Sequence, residues 1–377
     1  MSKTKIPFIN LQAQYRSISD EIRQALDRIV DSTNFILGEE VERFEKDFAG
    51  YLGTKYCVAL NSGTSALHLA LVALGVKEGD EVITTPHSFI ASAETISYTG
   101  AIPVFADVEA EGFSLDVSRV KAAVTKKTRA IMPVHLYGQP VDMVALMEIA
   151  GEYGIPVIED AAQAHGAECL MKDGKWKKVG GIGEVGCFSF YPTKNLGTCG
   201  EGGALVTNSE KIFEKVRMLR NHGQKDGEYV HPFIGYNYRM TAFQGAVLGV
   251  KLKRLDKWIE ARRNRAALYD EELRDTPIKT PKGVRDLKAA YHQYVIRTRD
   301  RDNLGKYLEE TGIETGVYYP RLIPYQDAYK DLGHKRGDFP TAEKCADECL
   351  SLPIYPELEE EDIRHVCNCI TEWVKSR

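Results

Sequence analysis

Short apolar runs alternate with longer amphipathic stretches between about residue 54 and residue 250. This alternation is typical of a mostly parallel β-sheet with helices on both faces, because a crossover helix must connect each strand to its parallel neighbour. The predicted strands cover residues 56–60, 81–84, 102–105, 130–134, 155–158, 186–190 and 204–207. We therefore predict an α/β fold with a sheet of roughly seven strands.

Helical patterns fill the connections between these strands. Amphipathic stretches predict helices over residues 64–74 and 141–153, and each is followed by a glycine, Gly75 or Gly154. Glycine is favoured at such ends because it readily adopts the left-handed backbone conformation that closes a helix. Both helices therefore have the boundaries expected of crossover connections in a parallel sheet.

A second structural unit is predicted towards the end of the chain. A long amphipathic run over residues 240–273 leads to a strand pattern at residues 291–296. A chain of 377 residues is too long for one ordinary core and too short for three domains. We predict a large α/β domain over residues 12–250 and a smaller α+β domain over residues 251–377, with residues 1–11 packed against the body.

The composition is that of an ordinary globular protein, with 43% hydrophobic and 27% charged residues. The formal net charge of −5 and the lack of a dense basic run argue against nucleic acid as a partner. No apolar segment has the length of a membrane span and no signal-peptide core is present, so we expect a cytoplasmic protein without a membrane partner. The eight cysteines show no C-x-x-C spacing, and we predict no bound metal.

The first candidate site is the small-residue turn at residues 61–67, where a predicted strand runs into a helix. Free N–H groups at a helix start bind phosphate. Gly63 would permit a close backbone approach, and the Thr64 hydroxyl could add a hydrogen bond. The same residues would also serve as a helix N-cap without any ligand, so this segment alone leaves both interpretations open.

The second candidate is a pair of carboxylates, Glu159 and Asp160, at the carboxyl end of a buried strand. Ligands bind at these strand ends in open α/β sheets. An aspartate directed at a pyridine nitrogen keeps that nitrogen protonated, and protonation makes the ring of pyridoxal 5′-phosphate (PLP) an electron sink. We therefore consider Asp160 a partner for such a ring; the alternative is an aspartate that caps the start of a helix.

The third candidate is Lys194, at the end of a predicted strand and followed by a glycine-rich stretch over residues 197–203. Ser189 and Thr193 provide hydroxyl groups beside it. A lysine in this setting can form a Schiff base with a cofactor aldehyde, although a solvated surface lysine is the alternative. The order of the three segments favours the cofactor, because a phosphate-binding turn, an aspartate and a lysine follow one another, each at a strand end.

Residues 181–186 fit the G-x-G-x-x-G template of a dinucleotide site. That template requires a strand before it and a helix after it, whereas this segment follows a polar loop and leads directly into a strand. We therefore reject a nicotinamide cofactor. The polar loop itself, residues 171–178 with Trp176, is predicted to cover the sheet edge rather than to reach a substrate.

The three motifs, in this order, resemble those of the DegT/DnrJ/EryC1/StrS family of sugar aminotransferases, which are PLP enzymes of fold type I. The likeness spans nearly the whole chain and includes residues 7–11, 35–38, 81–84, 235–240 and 352–353. The resemblance implies that Lys194 forms the Schiff base and that Asp160 pairs with the pyridine nitrogen. The further cofactor contacts that it implies are Gly63, Thr64 and Ser189 at the phosphate, Gln163 near the ring hydroxyl and Phe89 stacked on the ring. From the residues alone, Phe89 is equally plausible as part of the core.

The resemblance also implies a homodimer. Asn237 matches the family residue that contacts the cofactor phosphate of the neighbouring subunit, so two active sites would be shared across a twofold axis. Arg239 can hold a carboxylate or a diphosphate through two parallel hydrogen bonds. The alternative for Arg239 is an ordinary ion pair with a nearby acid in a long interfacial helix.

The implied reaction moves an amino group from L-glutamate or glutamine to a nucleotide-linked keto sugar in two half-reactions, with Lys194 transferring the proton. Tyr191 lies in a segment that looks closer to relatives acting on 3-keto sugars than to those acting on 4-keto sugars. Tyr318 stands where relatives often carry histidine. We expect Tyr191, Tyr318 and Arg239 to bind the substrate. The alternatives are an aminotransferase for a keto-inositol and a PLP-binding regulatory protein without turnover.

Overall fold

The computed structural model describes residues 5–109, 111, 113–225 and 229–377. The α-helices, in chain order, are α1 (Leu11–Arg16), α2 (Ser19–Ser32), α3 (Glu39–Leu52), α4 (Gly63–Ala73), α5 (Ala91–Tyr98), α6 (Val117–Ala123), α7 (Met143–Tyr153), α8 (Glu210–Arg220), α9 (Ala242–Leu252), α10 (Leu255–Glu272), α11 (Arg301–Glu310), α12 (Pro340–Glu348) and α13 (Glu360–Lys375). The strands are β1 (Tyr56–Leu60), β2 (Glu81–Thr84), β3 (Ile102–Phe105), β4 (Thr128–Ile131), β5 (Ile158–Asp160), β6 (Glu168–Leu170), β7 (Trp176–Lys178), β8 (Val185–Ser189), β9 (Gly203–Thr207), β10 (Leu287–Lys288), β11 (Tyr294–Arg297) and β12 (Cys349–Leu352). Short 3₁₀ helices cover Leu136–Gly138, Ile323–Tyr325 and Asp327–Leu332. None of the helices in the described part of the chain combines the length and hydrophobicity that crossing a membrane requires.

The main sheet consists of two hydrogen-bonded groups of strands, in the order β1–β9–β8–β5 and β4–β2–β3. Single parallel bridges join the two groups, since Ile131 pairs with Val157 and Val134 pairs with Asp160. Strand β9 is antiparallel to both its neighbours, while β5 and β8, β2 and β4, and β2 and β3 are parallel. Each strand segment predicted for this region overlaps a strand of the mostly parallel sheet, and the α/β fold class is confirmed.

Helices pack on both faces of this sheet because its strands are apolar on both sides. Along β1, Cys57 and Ala59 join one hydrophobic core, whereas Val58 and Leu60 join another. The first core is closed by α3, which contributes Phe44, and the second by α4. Strands that are buried on both faces appear in a sequence as continuous apolar runs, which is why the pattern located them.

Two predicted strands, β4 and β5, are displaced by two or three residues, whereas β8 and β9 differ from the prediction by one residue at most at each end. Strand β4 ends at Ile131 rather than at residue 134, and β5 starts at Ile158, where the prediction ended it. Pro156 explains the second shift, because it has no N–H group to donate to a neighbouring strand. Only its carbonyl is used, accepting a hydrogen bond from Ile131 at 3.0 Å, and the regular ladder begins two residues later.

The single amphipathic run predicted over residues 240–273 is two helices, α9 and α10. The backbone at Arg254, with φ −113° and ψ −6°, leaves the helical geometry between them. The hydrophobic periodicity continues through this break, so the pattern could not reveal it. The predicted strand at residues 291–296 also begins later, as β11, which pairs with β12 in antiparallel orientation.

The carboxyl-terminal part of the chain has its own hydrophobic core, built largely from α10, α11, α13, β11 and β12. Helix α10 contributes to both hydrophobic cores, because Leu255 and Ile259 join the main core whereas Ala266 and Tyr269 join the second. The domain boundary between residues 250 and 251 therefore stays a prediction. Of the predicted amino-terminal segment, residues 1–4 lie outside the described residues.

Arginines of α10 bind backbone carbonyls where the two cores meet. Arg262 donates to the carbonyls of Ile354 at 2.9 Å and Tyr291 at 3.0 Å, and Arg263 donates to that of Ala289 at 2.9 Å. Burial lowers the pKa of Arg262 to about 10, and hydrogen bonds to carbonyls offset the cost of removing its charge from water. These contacts fix the segment that leads into β11.

Strands β6 and β7 form a hairpin that pairs with β10 in a small antiparallel sheet. The Nζ atom of Lys288 lies 3.8 Å from the ring centroid of Trp176, at the position of a cation–π contact. Trp176 therefore packs against β10, and the loop that was predicted to cover a sheet edge forms an edge sheet of its own.

Candidate active site

A cavity of about 640 Å³ lies at the carboxyl ends of β5 and β8. This is the position at which open α/β sheets bind ligands. Its wall contains all the sequence-predicted site residues except Asn237 and Arg239. The predicted residues that line it are Gly63, Thr64, Phe89, Asp160, Gln163, Ser189, Tyr191, Lys194 and Tyr318.

The start of α4 forms one side of the cavity. Ser62 is its N-cap, and the Ser62 Oγ atom accepts the N–H of Ser65 at 3.0 Å. The N–H groups of Gly63 and Thr64 have no acceptor within the helix, so they can bind an anion. A Cβ atom on Gly63 would lie 2.7 Å from the Cβ of Ser189, so glycine is required where α4 meets the end of β8. Capping and anion binding are therefore compatible at this turn.

Asp160 is a buried carboxylate with few protein partners. Its Oδ2 accepts the Ser92 hydroxyl at 2.7 Å, and its Oδ1 accepts the N–H of Ala162 at 3.2 Å. Burial raises the pKa of Asp160, while these hydrogen bonds and the charge of Lys194 oppose the rise. Residues 161–166 form turns rather than a helix, so the alternative of a helix-capping aspartate is wrong.

The adjacent carboxylate, Glu159, is fully satisfied by the protein. It accepts backbone N–H groups from Gly180 at 2.7 Å, Ile182 at 2.7 Å and Gly183 at 2.6 Å. The Nδ1 of His135 accepts a backbone N–H, so its Nε2 donates to Glu159 at 3.1 Å. The glycine-rich segment that fits the dinucleotide template thus encloses the protein's own carboxylate, which anchors the strand that carries Asp160.

Lys194 lies in a tight loop after β8. Its backbone N–H donates to the carbonyl of Tyr191 at 2.9 Å. The buried Lys251 on α9 donates to the carbonyl of Gly197 at 2.7 Å, and a Cβ atom on Gly197 would collide with Pro192. The loop therefore has one compact conformation, which holds the Lys194 side chain in the cavity wall.

Burial lowers the pKa of the Lys194 amine from its ordinary value of 10.5 to about 8, although the charge of Asp160 opposes the shift. Burial and the charge of Lys194 lower the pKa values of His165 and His292, so these histidines add no positive charge beside the amine. A lysine with a lowered pKa exposes an appreciable fraction of neutral, nucleophilic amine near neutral pH. The alternative of a solvated surface lysine is wrong.

Two further predicted residues have defined orientations in the cavity. The Oε1 of Gln163 accepts the N–H of Tyr137 at 2.7 Å, and its Nε2 donates to the hydroxyl of Tyr319 at 3.3 Å. The ring of Phe89 is 52% exposed and its centroid lies 6.0 Å from that of Tyr319. Phe89 is therefore a wall residue, and its interpretation as part of the core is wrong.

Asn237 and Arg239 lie outside the cavity wall of their own subunit. The Nε of Arg239 donates to the Oδ1 of Asn237 at 3.1 Å, and its Nη1 donates to the Oδ1 of Asn221 at 3.0 Å. Their side chains therefore form a polar group on a neighbouring surface.

Several cavity residues were not predicted from the sequence. Ser92 binds Asp160, Tyr319 binds Gln163, and Phe8 and His292 line the wall. The hydroxyls of Ser88 and Ser92 lie 3.1 Å apart, but Ser88 precedes α5, so no helical spacing in the sequence singles out Ser92. The others reach the cavity through contacts between distant parts of the chain, which no local pattern reveals.

PLP requires an amine that reacts with its aldehyde, a partner for its pyridine nitrogen and a site for its phosphate. The buried amine, the buried carboxylate and the free N–H groups of α4 fit these requirements, and with the α/β sheet they define a PLP-dependent enzyme. The DegT/DnrJ/EryC1/StrS aminotransferase family matches residues 16–371, and the chain belongs to this family. It is a PLP-dependent aminotransferase.

Similar proteins cover almost the full length of this chain. A pleiotropic regulatory protein of Geobacillus stearothermophilus is 45% identical over 98% of this chain and 99% of its own length. The dTDP-3-amino-3,4,6-trideoxy-alpha-D-glucose transaminase of Streptomyces venezuelae is 41% identical over 98% of this chain and 97% of its own. The crystal structure of S. venezuelae DesV with a ketimine intermediate superposes with a TM-score of 0.95 at 41% identity, covering 98% and 99% of the two chains. Other matched relatives carry the names of transaminases for 3-amino nucleotide sugars.

We predict that Lys194→Met stabilises the cofactor-free protein by roughly 1–3 kcal/mol at pH 7. Below the folded pKa of about 8 the buried amine is charged in both the folded and the unfolded state, so its desolvation cost is fully present. As the pH rises through 8 towards 10.5, the folded amine loses its proton first and the cost disappears. Urea unfolding of both proteins at pH 7 and pH 10 measures the difference.

The matched control is Lys175→Met, at a side chain that is 79% exposed, and it should change the free energy of unfolding at neither pH. An advantage for Lys194→Met that is the same at pH 7 and pH 10 would show that packing, and not the buried charge, is responsible.

Proposed function

We propose that the protein transfers the amino group of L-glutamate or glutamine to C3 of a nucleotide-linked keto deoxy sugar. The observation that carries this proposal is the presence of Lys194 and Asp160 in one cavity, each with a pKa displaced by burial. When bound there, PLP supplies the electron sink that allows the amino group to leave the donor.

The proposed cofactor contacts follow the layout of the cavity. Asp160 holds a proton on the pyridine nitrogen, because the described part of the chain gives its carboxylate only two hydrogen-bond partners. Gln163, oriented by two hydrogen bonds, meets the ring hydroxyl, and Phe89 stacks on the ring. The phosphate is bound at the start of α4 by Gly63 and Thr64 and at the end of β8 by Ser189.

Lys194 has two proposed tasks. Its neutral amine would react with the cofactor aldehyde and so hold the cofactor, and as a free amine the same Nζ would take the proton from the donor α-carbon. A general base works best with a pKa near the working pH, and burial brings the pKa of Lys194 to about 8. The hydrogen bond from Lys251 to the carbonyl of Gly197 stabilises the loop that positions Nζ.

The proposed acceptor position, C3, rests on two observations. The S. venezuelae transaminase bears the name of an enzyme for a 3-amino sugar, and the segment around Tyr191 is similar to that of relatives acting on 3-keto sugars. Tyr191, 47% exposed, and Tyr318 line the cavity, so both can contact a sugar. We assign them, with Arg239, to substrate binding.

We further propose a homodimer with shared active sites. Asn237 and Arg239 lie outside their own cavity, and residues 229–234, which precede them in the chain, expose large apolar side chains, with Tyr229 at 96% and Ile234 at 91%. A second copy of the chain would cover this apolar surface. The same contact would bring Asn237 to the cofactor phosphate and Arg239 to the substrate of the neighbouring subunit.

The proposal also includes the location of the protein in the cell. A cytoplasmic address is supported by the eight cysteines, which form no disulfide.

Assaying the protein with a panel of acceptors distinguishes a nucleotide-linked keto sugar from the keto-inositol alternative. If a free keto-inositol accepts the amino group and a nucleotide has no effect, the alternative is favoured. A regulatory protein would bind PLP without turning over the donor.

We predict that L-glutamate or glutamine converts the bound cofactor to its amino form, which removes the visible absorbance of the wild-type protein. Lys194→Ala should slow this conversion by at least about 100-fold, because no other described lysine lines the cavity to move the proton. Stopped-flow absorbance measures both rates. Lys175→Ala is the control with an exposed lysine, and an unaffected rate in Lys194→Ala would assign the proton transfer to another group.

We predict that mixing two defective homodimers restores one active site per heterodimer. Lys194→Ala supplies an intact Asn237, and Asn237→Ala supplies an intact Lys194, so a shared site that combines the two intact residues is regained after subunit exchange. In a 1:1 mixture about half of the dimers are heterodimers, each with one intact site of two, so the donor reaction should recover towards about a quarter of the wild-type value. Recovery only to the average of the two parent proteins would contradict shared sites.

A further inference from the structure

The segment before α1 is attached to the carboxyl-terminal body by backbone pairing. Ile6 forms a parallel bridge with Ile313: its N–H donates to Gly312 at 2.9 Å, and its carbonyl accepts the N–H of Glu314 at 3.0 Å. The Nζ of Lys5 also lies 2.6 Å from Glu314. Residues 5 and 6 therefore act as an additional short strand beside the segment that follows α11.

This pairing places Phe8 at the cavity. The Oε2 of Glu314 accepts the backbone N–H of Phe8 at 3.0 Å, and the ring of Phe8 stacks on Tyr318 with a centroid distance of 5.8 Å and an interplanar angle of 28°. Ile6 and Ile9 pack into the second core, whereas Phe8 stays partly exposed and lines the same cavity as Lys194. An aromatic ring held in this way is available to a ligand.

The wall near Phe8 is apolar. Ile9, Tyr318 and Ile354 line the cavity with it, and among the described lining residues the charged side chains are Asp160, Lys194 and Glu201. Asp160 and Lys194 are assigned to the cofactor, so none of the described lining residues is a cation left for a sugar carboxylate, and Arg239 would enter only from the neighbouring subunit. A carbon that has lost its hydroxyl group is the part of a sugar best suited to such a wall.

We propose that Phe8 is a specificity-determining residue of the acceptor site, and that its ring, backed by Tyr318, packs against deoxygenated carbons of the keto sugar. Glu314 is the positioning residue that fixes Phe8 through its backbone. This inference rests on the proposed function, because it assigns the part of the substrate that the cavity recognises.

The test uses the reverse half-reaction of the holoenzyme, followed through the cofactor absorbance. The probes are a dTDP-3-amino-3,6-dideoxyhexose and the matching dTDP-3-amino-3-deoxyhexose, which keeps its 6-hydroxyl. The wild type should prefer the dideoxy sugar, and Phe8→Ala should lower kcat/KM for it by about tenfold, mainly through KM, with much less change for the hydroxylated sugar. Phe8→Leu, which retains apolar volume, should keep most of the preference.

Glu314→Ala should lose part of the same preference, since it frees the Phe8 backbone without removing the ring. Equilibrium titration of each protein with the dideoxy amino sugar adds a binding readout, and the ratio of the two kcat/KM values within each variant cancels any general loss of active holoenzyme. An unchanged ratio of kcat/KM values in Phe8→Ala would overturn the role of Phe8 while leaving the proposed function intact. A wild type that reacts with glutamate but with neither amino sugar would overturn the acceptor and this inference together.

Discussion

The structure depends on the burial of an amine and a carboxylate in one cavity. Removing charges from water is costly, so burial lowers the pKa of Lys194 and raises that of Asp160. Each group partly offsets the shift of the other. Asp160 has two hydrogen-bond partners, and no hydrogen bond from the described residues holds the Lys194 amine. This unused bonding capacity is the physical basis of the roles proposed for both residues with PLP.

The charged side chains next to these two groups use their hydrogen-bonding capacity within the protein. Glu159, next to Asp160 in the chain, receives three backbone N–H groups and one from His135, which leaves no capacity for a ligand. The ammonium group of Lys251 donates a hydrogen bond to the carbonyl of Gly197. Glu159 and Lys251 thus bond to the protein and stabilise a strand end or a loop, whereas Asp160 and Lys194 face the cavity with bonding capacity left for a ligand.

The sequence predicted the elements that depend on local pattern. Strands buried on both faces, glycine helix ends and the strand-end position of Asp160 follow from hydrophobic runs and residue type, whereas Lys194 lies in the loop after β8 and not at the strand end that was predicted. The features that the sequence did not predict depend on contacts between residues that are far apart in the chain, or on breaks that the hydrophobic pattern does not mark. Phe8 reaches the cavity only because Glu314 binds its backbone, and the break at Arg254 has no hydrophobic signature. The roles carried over from the family resemblance, including that of Asn237, remain predictions.

The most direct test of the central claim is to reduce the holoenzyme with borohydride and locate the pyridoxyl group by peptide mass mapping. A single modified peptide containing Lys194 is expected, because this is the lysine whose lowered pKa and cavity position suit it to bind the cofactor aldehyde. A pyridoxyl group on another lysine, or none on any, would contradict the assignment of this cavity as the active site.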